Sequence, residues 1–220
     1  IHQHRGTIDK YMGDAIMAFW GAPIEDPDHA RHALEAGMEM VRILDDMQGE
    51  FSARGWPEVR IGVGLNTGPM SVGNMGSEFR MAYTVLGDAV NLGSRPEGLT
   101  RKYGVDIIVN ETTRAAVPDY VYLELDRVRV KGKDKPVAIY EPLGPKGSLP
   151  KETRDELAVY EQALKLYRSQ NWDMAELQFL NLQRMAPERT LYRIYAERVA
   201  HFREEPPGAD WDGVFTFKTK

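Results

Sequence analysis

Apolar and polar residues along the first quarter of the chain follow a pattern that predicts a hairpin and a long helix. Residue types alternate as in a strand from Thr7 to Met12, and the run from Ala15 to Trp20 is apolar and aromatic. The Gly13-Asp14 pair between these runs is typical of a two-residue hairpin turn. After Asp26-Pro27-Asp28, a helix-start signal, apolar residues recur at helical spacing from Ala30 to Phe51. We therefore expect a β-hairpin followed by one amphipathic helix.

Shorter apolar runs fill the middle of the chain and alternate with two helical patterns. The strand candidates are residues 59–66, 70–73, 79–86, 105–109, 121–130 and 136–140, and the helix candidates are residues 88–103 and 111–117. Most connections between consecutive strands are short, so a mostly antiparallel sheet with flanking helices is expected, which is an α+β fold. Gly62 and Gly64 leave one face of the first of these strands nearly bare, which permits a ligand or another backbone to approach closely.

The last third of the chain has a different composition and predicts a helical extension. Residues 142–150 form a linker rich in Gly, Pro, Ser and Lys, amphipathic helices are expected at 152–170 and 173–185, and a third helix is expected at 190–202. Ala175 and Phe179 have the spacing of a tetratricopeptide-like helical hairpin. Because one such hairpin cannot bury its own apolar face, it is expected to dock on the main domain or on a neighbour. The predicted domains are therefore residues 1–145 and 146–220.

The composition excludes several functions and partners. The chain has 220 residues with a formal net charge of -5, so it has no general attraction to nucleic acid, and any phosphate site must be local. It contains no cysteine, which excludes disulfides and thiolate metal sites and agrees with a reducing compartment. No apolar run is long enough to span a bilayer. We therefore expect a cytoplasmic protein, or the cytoplasmic part of a membrane-anchored one.

Two polar residues of the predicted hairpin could bind a ligand. Asp14 would be exposed at the turn and held in place by two apolar strands, which suits a metal ligand. An Asp at a hairpin tip is, however, more often only a turn former. The alternation places Lys10 on the same strand face as Ile8 and Met12. Lys10 is therefore either an edge-strand lysine that opposes aggregation or a contact to a ligand.

Two further groups could bind a sugar or phosphates. Asn91 and Arg95 are four residues apart, so on a helix they share a face, where the amide and the guanidinium can hold a hydroxyl and a phosphate oxygen. Lys131 and Lys133 flank a glycine in a predicted turn and could bind phosphates as point charges. Taken alone, each group is better explained as ordinary surface residues.

Taken together, four spaced motifs resemble the catalytic domain of class III nucleotidyl cyclases, the adenylate and guanylate cyclases. In chain order they are Lys10-Tyr-Met-Gly-Asp14-Ala-Ile-Met-Ala, Gly62-Val-Gly-Leu-Asn-Thr-Gly68, Tyr83-Thr-Val-Leu-Gly-Asp-Ala-Val-Asn91-Leu-Gly-Ser-Arg95 and Val130-Lys-Gly-Lys133. The resemblance covers residues 7 to 143. It is closest to the bacterial adenylate cyclases with Thr at the second purine-contact position, a pseudomonad cyclase among them, and the C-terminal helices resemble the extension of bacterial multidomain adenylate cyclases.

The resemblance implies a ferredoxin-like core and roles in metal and purine binding. Asp14 would be one of two aspartates that bind two Mg²⁺ or Mn²⁺ ions, and Lys10 and Thr84 would read the purine. Lys10 can donate to adenine N1, and the Thr84 hydroxyl can accept from the 6-amino group. Guanine presents the opposite groups, N1 as a donor and O6 as an acceptor. The resemblance and this chemistry together favour ATP as the substrate.

The resemblance also implies the reaction and the assembly. Asn91 would orient the ribose, Arg95 would stabilise charge on the α-phosphate, and Lys131 would hold the terminal phosphates. The 3′-hydroxyl would attack the α-phosphorus, pyrophosphate would leave, and the metal ions would activate the hydroxyl and steady the leaving group. The sites would lie at the interface of a homodimer. One chain would supply Asp14 and its partner the other residues, so that a symmetric dimer has two sites.

The sequence departs from the family pattern in two places. The family's first strand, which carries the other metal-binding aspartate in an Asp-x-x-x-Phe-Thr type motif, is not found before Thr7, and neither are the helices that follow it. We therefore expect this chain to be a fragment that does not complete a two-metal site by itself. Pro96 follows Arg95 inside a predicted helix, where a proline removes a backbone hydrogen bond, costs about 3 kcal/mol and is expected to disturb the aim of Arg95.

Three functions remain open at this point. The first is an adenylate cyclase that makes 3′,5′-cyclic AMP, and the retained Lys10, Asp14, Asn91, Arg95 and Lys131 favour it. The second is a non-catalytic cyclase-like module that binds nucleotide or dimerises, which the missing strand favours. The third is a guanylate cyclase, which would need a carboxylate in place of the lysine. The likeness to the Thr-bearing subgroup also suggests activation by bicarbonate.

Overall fold

The computed structural model describes residues 1–129 and 136–215, with the exception of the side chains of Ser94 and Arg95. Its strands are β1 (Thr7–Met12), β2 (Ala15–Phe19), β3 (Val63–Leu65), β4 (Ser71–Ser77), β5 (Arg80–Leu86), β6 (Ile107–Asn110), β7 (Tyr120–Val128) and β8 (Val137–Pro145). Its α-helices are α1 (His29–Ala53), α2 (Asp88–Tyr103), α3 (Glu111–Ala116), α4 (Lys151–Arg168), α5 (Trp172–Met185) and α6 (Thr190–Glu204), and a short 3₁₀ helix spans His2–His4. The predicted α+β class is confirmed.

Strand pairing is mostly antiparallel, as the short connections predict. Strands β1 and β2, β4 and β5, and β7 and β8 form three antiparallel pairs of consecutive strands. The pair β3 and β6 is parallel, and the long segment between them contains β4, β5 and α2. A parallel pair needs such a crossover because the chain must return to the end at which it started.

The chain divides into two compact units. The first comprises residues 1–101 and 105–118, and the second comprises residues 102–104 and 119–220. The second unit thus contains β7 and β8 together with the three C-terminal helices. The domain boundary predicted between residues 145 and 146 rests on composition and on the resemblance, and it stays a prediction.

The core of the first unit is formed where helices α1 and α2 pack against the strands β3 and β6. Helix α1 buries Leu34, Ala36 and Gly37, and a Cβ built at Gly37 would lie 3.4 Å from Val63 Cγ1 of β3. A Cβ built at Gly64 would lie 2.5 Å from the backbone nitrogen of Glu97 in α2. The backbone of helix α2 therefore packs against the glycine face of β3. The sequence left open whether a ligand or another backbone approaches this face, and in the structure it is a backbone.

An aromatic core fills the second unit. Tyr160, Tyr167, Phe179 and Tyr195 are each no more than 1% exposed, and the Phe179 and Tyr195 rings stack 5.0 Å apart. The Tyr160 hydroxyl of α4 donates to the Glu124 carbonyl oxygen of β7 at 2.6 Å. The helical hairpin α4–α5 therefore packs its aromatic face on α6, and the Tyr160 hydrogen bond links α4 to β7, a strand that the sequence assigned to the main domain.

The structure corrects three predicted boundaries. The strand predicted at 59–66 is regular only over Val63–Leu65. Residues 74–76, which separate the strands predicted at 70–73 and 79–86, continue strand β4 in the structure, and the turn falls at residues 78 and 79. The linker predicted at residues 142–150 begins only after Pro145, because β8 continues to that residue. Among the residues described, none of the helices is sufficiently long and apolar to span a bilayer.

Candidate active site

The hairpin β1–β2 presents Asp14 at its tip. Met12 pairs with Ala15, so Gly13 and Asp14 form the two-residue turn that the sequence predicts. Gly13 has a φ of 65°, a left-handed conformation that glycine adopts without steric cost. The Asp14 side chain is exposed. The local geometry leaves this carboxylate accessible to a cation in solution.

A bulge in β1 changes the direction in which Lys10 points. Ile8 pairs with Ala18 and Lys10 pairs with Met17, so one extra residue, Asp9, lies between them on β1. Ala18 and Met17 are consecutive in β2 and therefore face opposite sides of the hairpin. Their partners Ile8 and Lys10 face opposite sides as well. The prediction that Lys10 shares a face with Ile8 is wrong, whereas the regular pairing of the next two residues keeps Lys10 on the face of Met12.

Strand β5 brings Thr84 to the bulge. Lys10 Nζ lies 3.5 Å from Thr84 Oγ1, so the two residues predicted to read the purine are neighbours in space. The Thr84 hydroxyl donates to Asp9 Oδ2 at 2.6 Å, and Lys10 Nζ lies 3.7 Å from Asp9 Oδ1. The rings of Phe19 and Tyr83, 6.0 Å apart, add an apolar contact between the hairpin and β5.

Sequence reasoning missed Asp9. A polar residue in an alternating strand is expected to face water, yet the Asp9 side chain is only 2% exposed. The sequence shows that Asp9 directly precedes Lys10 in an otherwise apolar strand. This position does not indicate a role for Asp9 until the structure shows its contact with Thr84.

Helix α2 carries Asn91 and Arg95, as the spacing predicts. The helix starts at Asp88, so Asn91 lies in its first turn with an exposed side chain. Pro96 lies inside the helix and is buried, and the helix continues past it to Tyr103. The Arg95 side chain and all of Lys131 lie outside the described residues, so their predicted roles and the predicted disturbance of Arg95 by Pro96 stay predictions.

A polar network anchors the first turn of α2. Asn66, directly after β3, donates from Nδ2 to the carbonyl oxygen of Ala89 at 2.6 Å. Its Oδ1 accepts from Asn110 Nδ2, and Asn110 Oδ1 accepts from the Thr113 backbone nitrogen at 3.0 Å as the N-cap of α3. The network ties α2 to the ends of β3 and β6, two residues before Asn91.

The described residues do not complete a metal site. Residues 1–129 and 136–215 contain no group of three or more His, Asp or Glu side chains arranged to hold a cation. Asp14 is exposed and has the oxygen chemistry that Mg²⁺ prefers, but a single carboxylate is an insufficient ligand set. A metal site that included Asp14 would therefore need further ligands from outside these residues.

Known proteins match this chain over the region that contains these residues. The model of the adenylate and guanylate cyclase catalytic domain matches residues 2–140. Adenylate cyclase 1 of Rhizobium meliloti is 35% identical over 142 residues, and the match covers 64% of this chain and 21% of that protein. The chain spans less than a third of the length of the curated relatives that it matches first.

Solved cyclase structures share the fold. The adenylyl cyclase CyaB from P. aeruginosa superposes with a TM-score of 0.60 at 31% identity, over 68% of this chain and 77% of that chain. The guanylyl cyclase Cya2 superposes with a TM-score of 0.58 at 36% identity, over 67% and 74% of the two chains. The protein belongs to the family of adenylate and guanylate cyclase catalytic domains. The predicted recognition of a class III cyclase catalytic domain is thereby confirmed.

Proposed function

We propose that the chain is the catalytic domain of an adenylate cyclase, which converts ATP to 3′,5′-cyclic AMP and pyrophosphate. The observation that supports this most directly is the proximity of Lys10 and Thr84, whose Nζ and Oγ1 atoms are 3.5 Å apart. An ammonium group can only donate hydrogen bonds, whereas a hydroxyl can accept them. Adenine needs this pair, because its N1 accepts and its 6-amino group donates.

The remaining roles follow the resemblance. Asn91, exposed in the first turn of α2, would orient the ribose so that its 3′-hydroxyl faces the α-phosphorus. Arg95 would meet the charge that develops on the transferred phosphoryl group, and Lys131 would hold the terminal phosphates. Asp14 is the carboxylate that this chain offers to the two Mg²⁺ or Mn²⁺ ions of the proposed site, with the second aspartate supplied from outside the described residues.

A homodimer is supported by exposed apolar side chains on the two hairpins of the first unit. Phe79, in the turn between β4 and β5, is 96% exposed, and Tyr11, Ile16 and Met81 are each more than half exposed. Apolar surface of this kind is typical of a protein–protein interface. A second copy of the chain would cover it and would combine Asp14 of one protomer with Lys10 of its partner.

Two other functions each have one observation in their favour. A guanylate cyclase is favoured by the fold and identity shared with the guanylyl cyclase Cya2, and Lys10 opposes it because guanine N1 donates. A cyclase-like module that only binds nucleotide or dimerises is favoured by the incomplete metal ligands among the described residues.

The deciding experiment is a cyclase assay on the full-length protein that carries this sequence. With Mn²⁺ as the metal, we expect cyclic AMP and pyrophosphate from ATP. The value of kcat/KM for ATP should exceed that for GTP at least about tenfold, because guanine leaves donors and acceptors unpaired at the site. Cyclic GMP as the main product would identify a guanylate cyclase. Absence of both products at dimer-forming protein concentrations would favour the non-catalytic module.

Two predictions are tested in the same assay or beside it. Bicarbonate, proposed as an activator from the likeness to the Thr-bearing cyclases, should raise the rate at constant pH and ionic strength, with chloride as the control anion. The cytoplasmic location that the sequence predicts stays a prediction, and cell fractionation would test it.

The Asn66→Ala substitution should lower kcat about tenfold with little change in KM, because the first turn of α2 loses its tether to β3 and Asn91 loses its position. The unpaired Asn110 amide should also cost roughly 1–3 kcal/mol of stability. Asn171→Ala is a matched control, since Asn171 caps α5 in the second unit. It should lower the melting temperature and leave kcat unchanged. An equal fall in kcat for both variants would contradict the positioning role.

A further inference from the structure

The buried acid Asp9 lies directly beneath the pair of residues proposed to read the purine. Its Oδ2 is 2.6 Å from Thr84 Oγ1, its Oδ1 is 3.7 Å from Lys10 Nζ, and its side chain is 2% exposed. The bulge between Ile8 and Lys10 makes Asp9 the additional residue of β1 at this point. Bulges re-aim side chains next to active sites, and this one allows two consecutive residues, Asp9 and Lys10, to reach the same threonine.

The chemistry of this contact determines the direction of its hydrogen bond. A carboxylate has only acceptor oxygens, so at 2.6 Å the proton between the two groups must come from the Thr84 hydroxyl. A hydroxyl has one proton and two acceptor lone pairs. Once Asp9 accepts the proton, Thr84 can only accept hydrogen bonds from any other partner, whether the Lys10 ammonium or a ligand.

We propose that Asp9 is a specificity-determining residue that makes Thr84 an obligate acceptor and thereby selects adenine over guanine. The proposal rests on the proposed function, in that Lys10 and Thr84 must be the residues that meet the purine edge. A free threonine hydroxyl could rotate and donate to guanine O6, so it would discriminate weakly between the two bases. With its proton held by Asp9, Thr84 can accept from the 6-amino group of adenine but offers nothing to O6.

The test compares ATP and GTP as substrates of the full-length protein with Asp9→Leu. Leucine fills a similar buried volume and cannot accept the hydroxyl proton. The ratio of kcat/KM for ATP to that for GTP should fall about tenfold, because the freed hydroxyl can now donate to O6. In a Thr84→Val background, Asp9→Leu should leave the ratio unchanged, since the hydroxyl on which Asp9 acts is gone.

Asp26→Leu is the matched control, because Asp26 is a similarly buried acid of the first unit that pairs with His32. It should lower stability and leave the ATP-to-GTP ratio as it is in the wild type. A ratio within twofold of the wild-type value in Asp9→Leu would overturn the proposal, as would an equal change in the Thr84→Val background.

A second variant and a second measurement keep folding and catalysis separate from specificity. If Asp9→Leu does not fold by circular dichroism, Asp9→Asn replaces it. The Lys10 ammonium would hold the amide oxygen, the amide nitrogen would donate to Thr84, and the ratio should again fall. If the wild type makes no cyclic nucleotide, the proposed function fails, but the ratio of ATP to GTP dissociation constants, measured by calorimetry on the same variants, still tests Asp9.

Discussion

Replacement of Asp14 by asparagine is expected to lower the rate of cyclic AMP formation at least about a hundredfold, the loss typical of removing one charged group that stabilises a transition state. Asn has almost the same shape as Asp and is also a favoured turn former, so the Gly13-Asp14 turn should survive. The substitution therefore separates the two explanations that the sequence leaves open for Asp14, a turn former or a metal ligand.

The measurement is kcat at saturating ATP as a function of Mn²⁺ concentration, on the full-length protein. Asp14→Asn should require more Mn²⁺ and should not regain the wild-type rate at any concentration. Asp45→Asn is the control, because Asp45 is an equally exposed acid on the surface of α1. A rate for Asp14→Asn within threefold of the control would show that Asp14 only forms the turn.

The Arg198→Met substitution should destabilise the second unit by about 3–5 kcal/mol, the cost of removing one partner of a buried ion pair. Arg198 Nη2 lies 2.6 Å from Asp126 Oδ2, and the two side chains are 2% and 4% exposed. Burial lowers the pKa of Arg198, but the adjacent Asp126 carboxylate outweighs burial and the pKa lies above its usual value. Methionine would fill much of the space and leave the carboxylate without its cation.

The Tyr103 hydroxyl cannot replace that cation. It donates to Asp126 Oδ2 at 2.6 Å, and burial, together with the Asp126 carboxylate, raises the pKa of Tyr103 above its usual value. Tyr103 therefore stays protonated and neutral, and supplies one hydrogen bond but no charge. In Arg198→Met the carboxylate would keep this donor and the Arg127 backbone N–H, which donates to Asp126 Oδ1 at 2.8 Å, but it would lose the cation beside it.

Urea denaturation and hydrogen exchange of α6 and β7 would measure the loss of stability. Arg203→Met is the matched control, because Arg203 pairs with Asp173 at the surface, where such pairs contribute about 0–1 kcal/mol. Replacing both members of the buried pair, with Asp126→Leu added to Arg198→Met, should recover part of the loss. Equal destabilisation by Arg198→Met and Arg203→Met would contradict the importance of burial.

Local signals in the sequence were sufficient for several elements. The Gly-Asp pair between two apolar runs predicted the turn of the first hairpin, and the structure has that turn at residues 13 and 14. The helix predicted at 88–103 is α2, with the same bounds. These elements depend on turn geometry and helical periodicity, which act over a few residues and can therefore be read from one sequence.

The strand boundaries were less predictable, for a physical reason. Alternation from Val59 to Asn66 suggested a full strand, but only Val63–Leu65 pairs, with β6. A residue belongs to a β-strand only where its backbone pairs with a neighbouring strand, and the partner strand β6 is four residues long. The length of β3 is therefore set by a segment about forty residues away, which no local pattern reports.

The sequence by itself determined the fold class, the main helices and the family, because periodicity, turn chemistry and spaced motifs are properties of the chain. Only the tertiary structure showed that Asp9 lies against Thr84, 75 residues later, and that the glycine face of β3 receives helix α2. A bulge reverses the face on which Ile8 and Lys10 would otherwise both lie. Such contacts depend on how distant elements pack and register with one another, and that is decided when the chain folds.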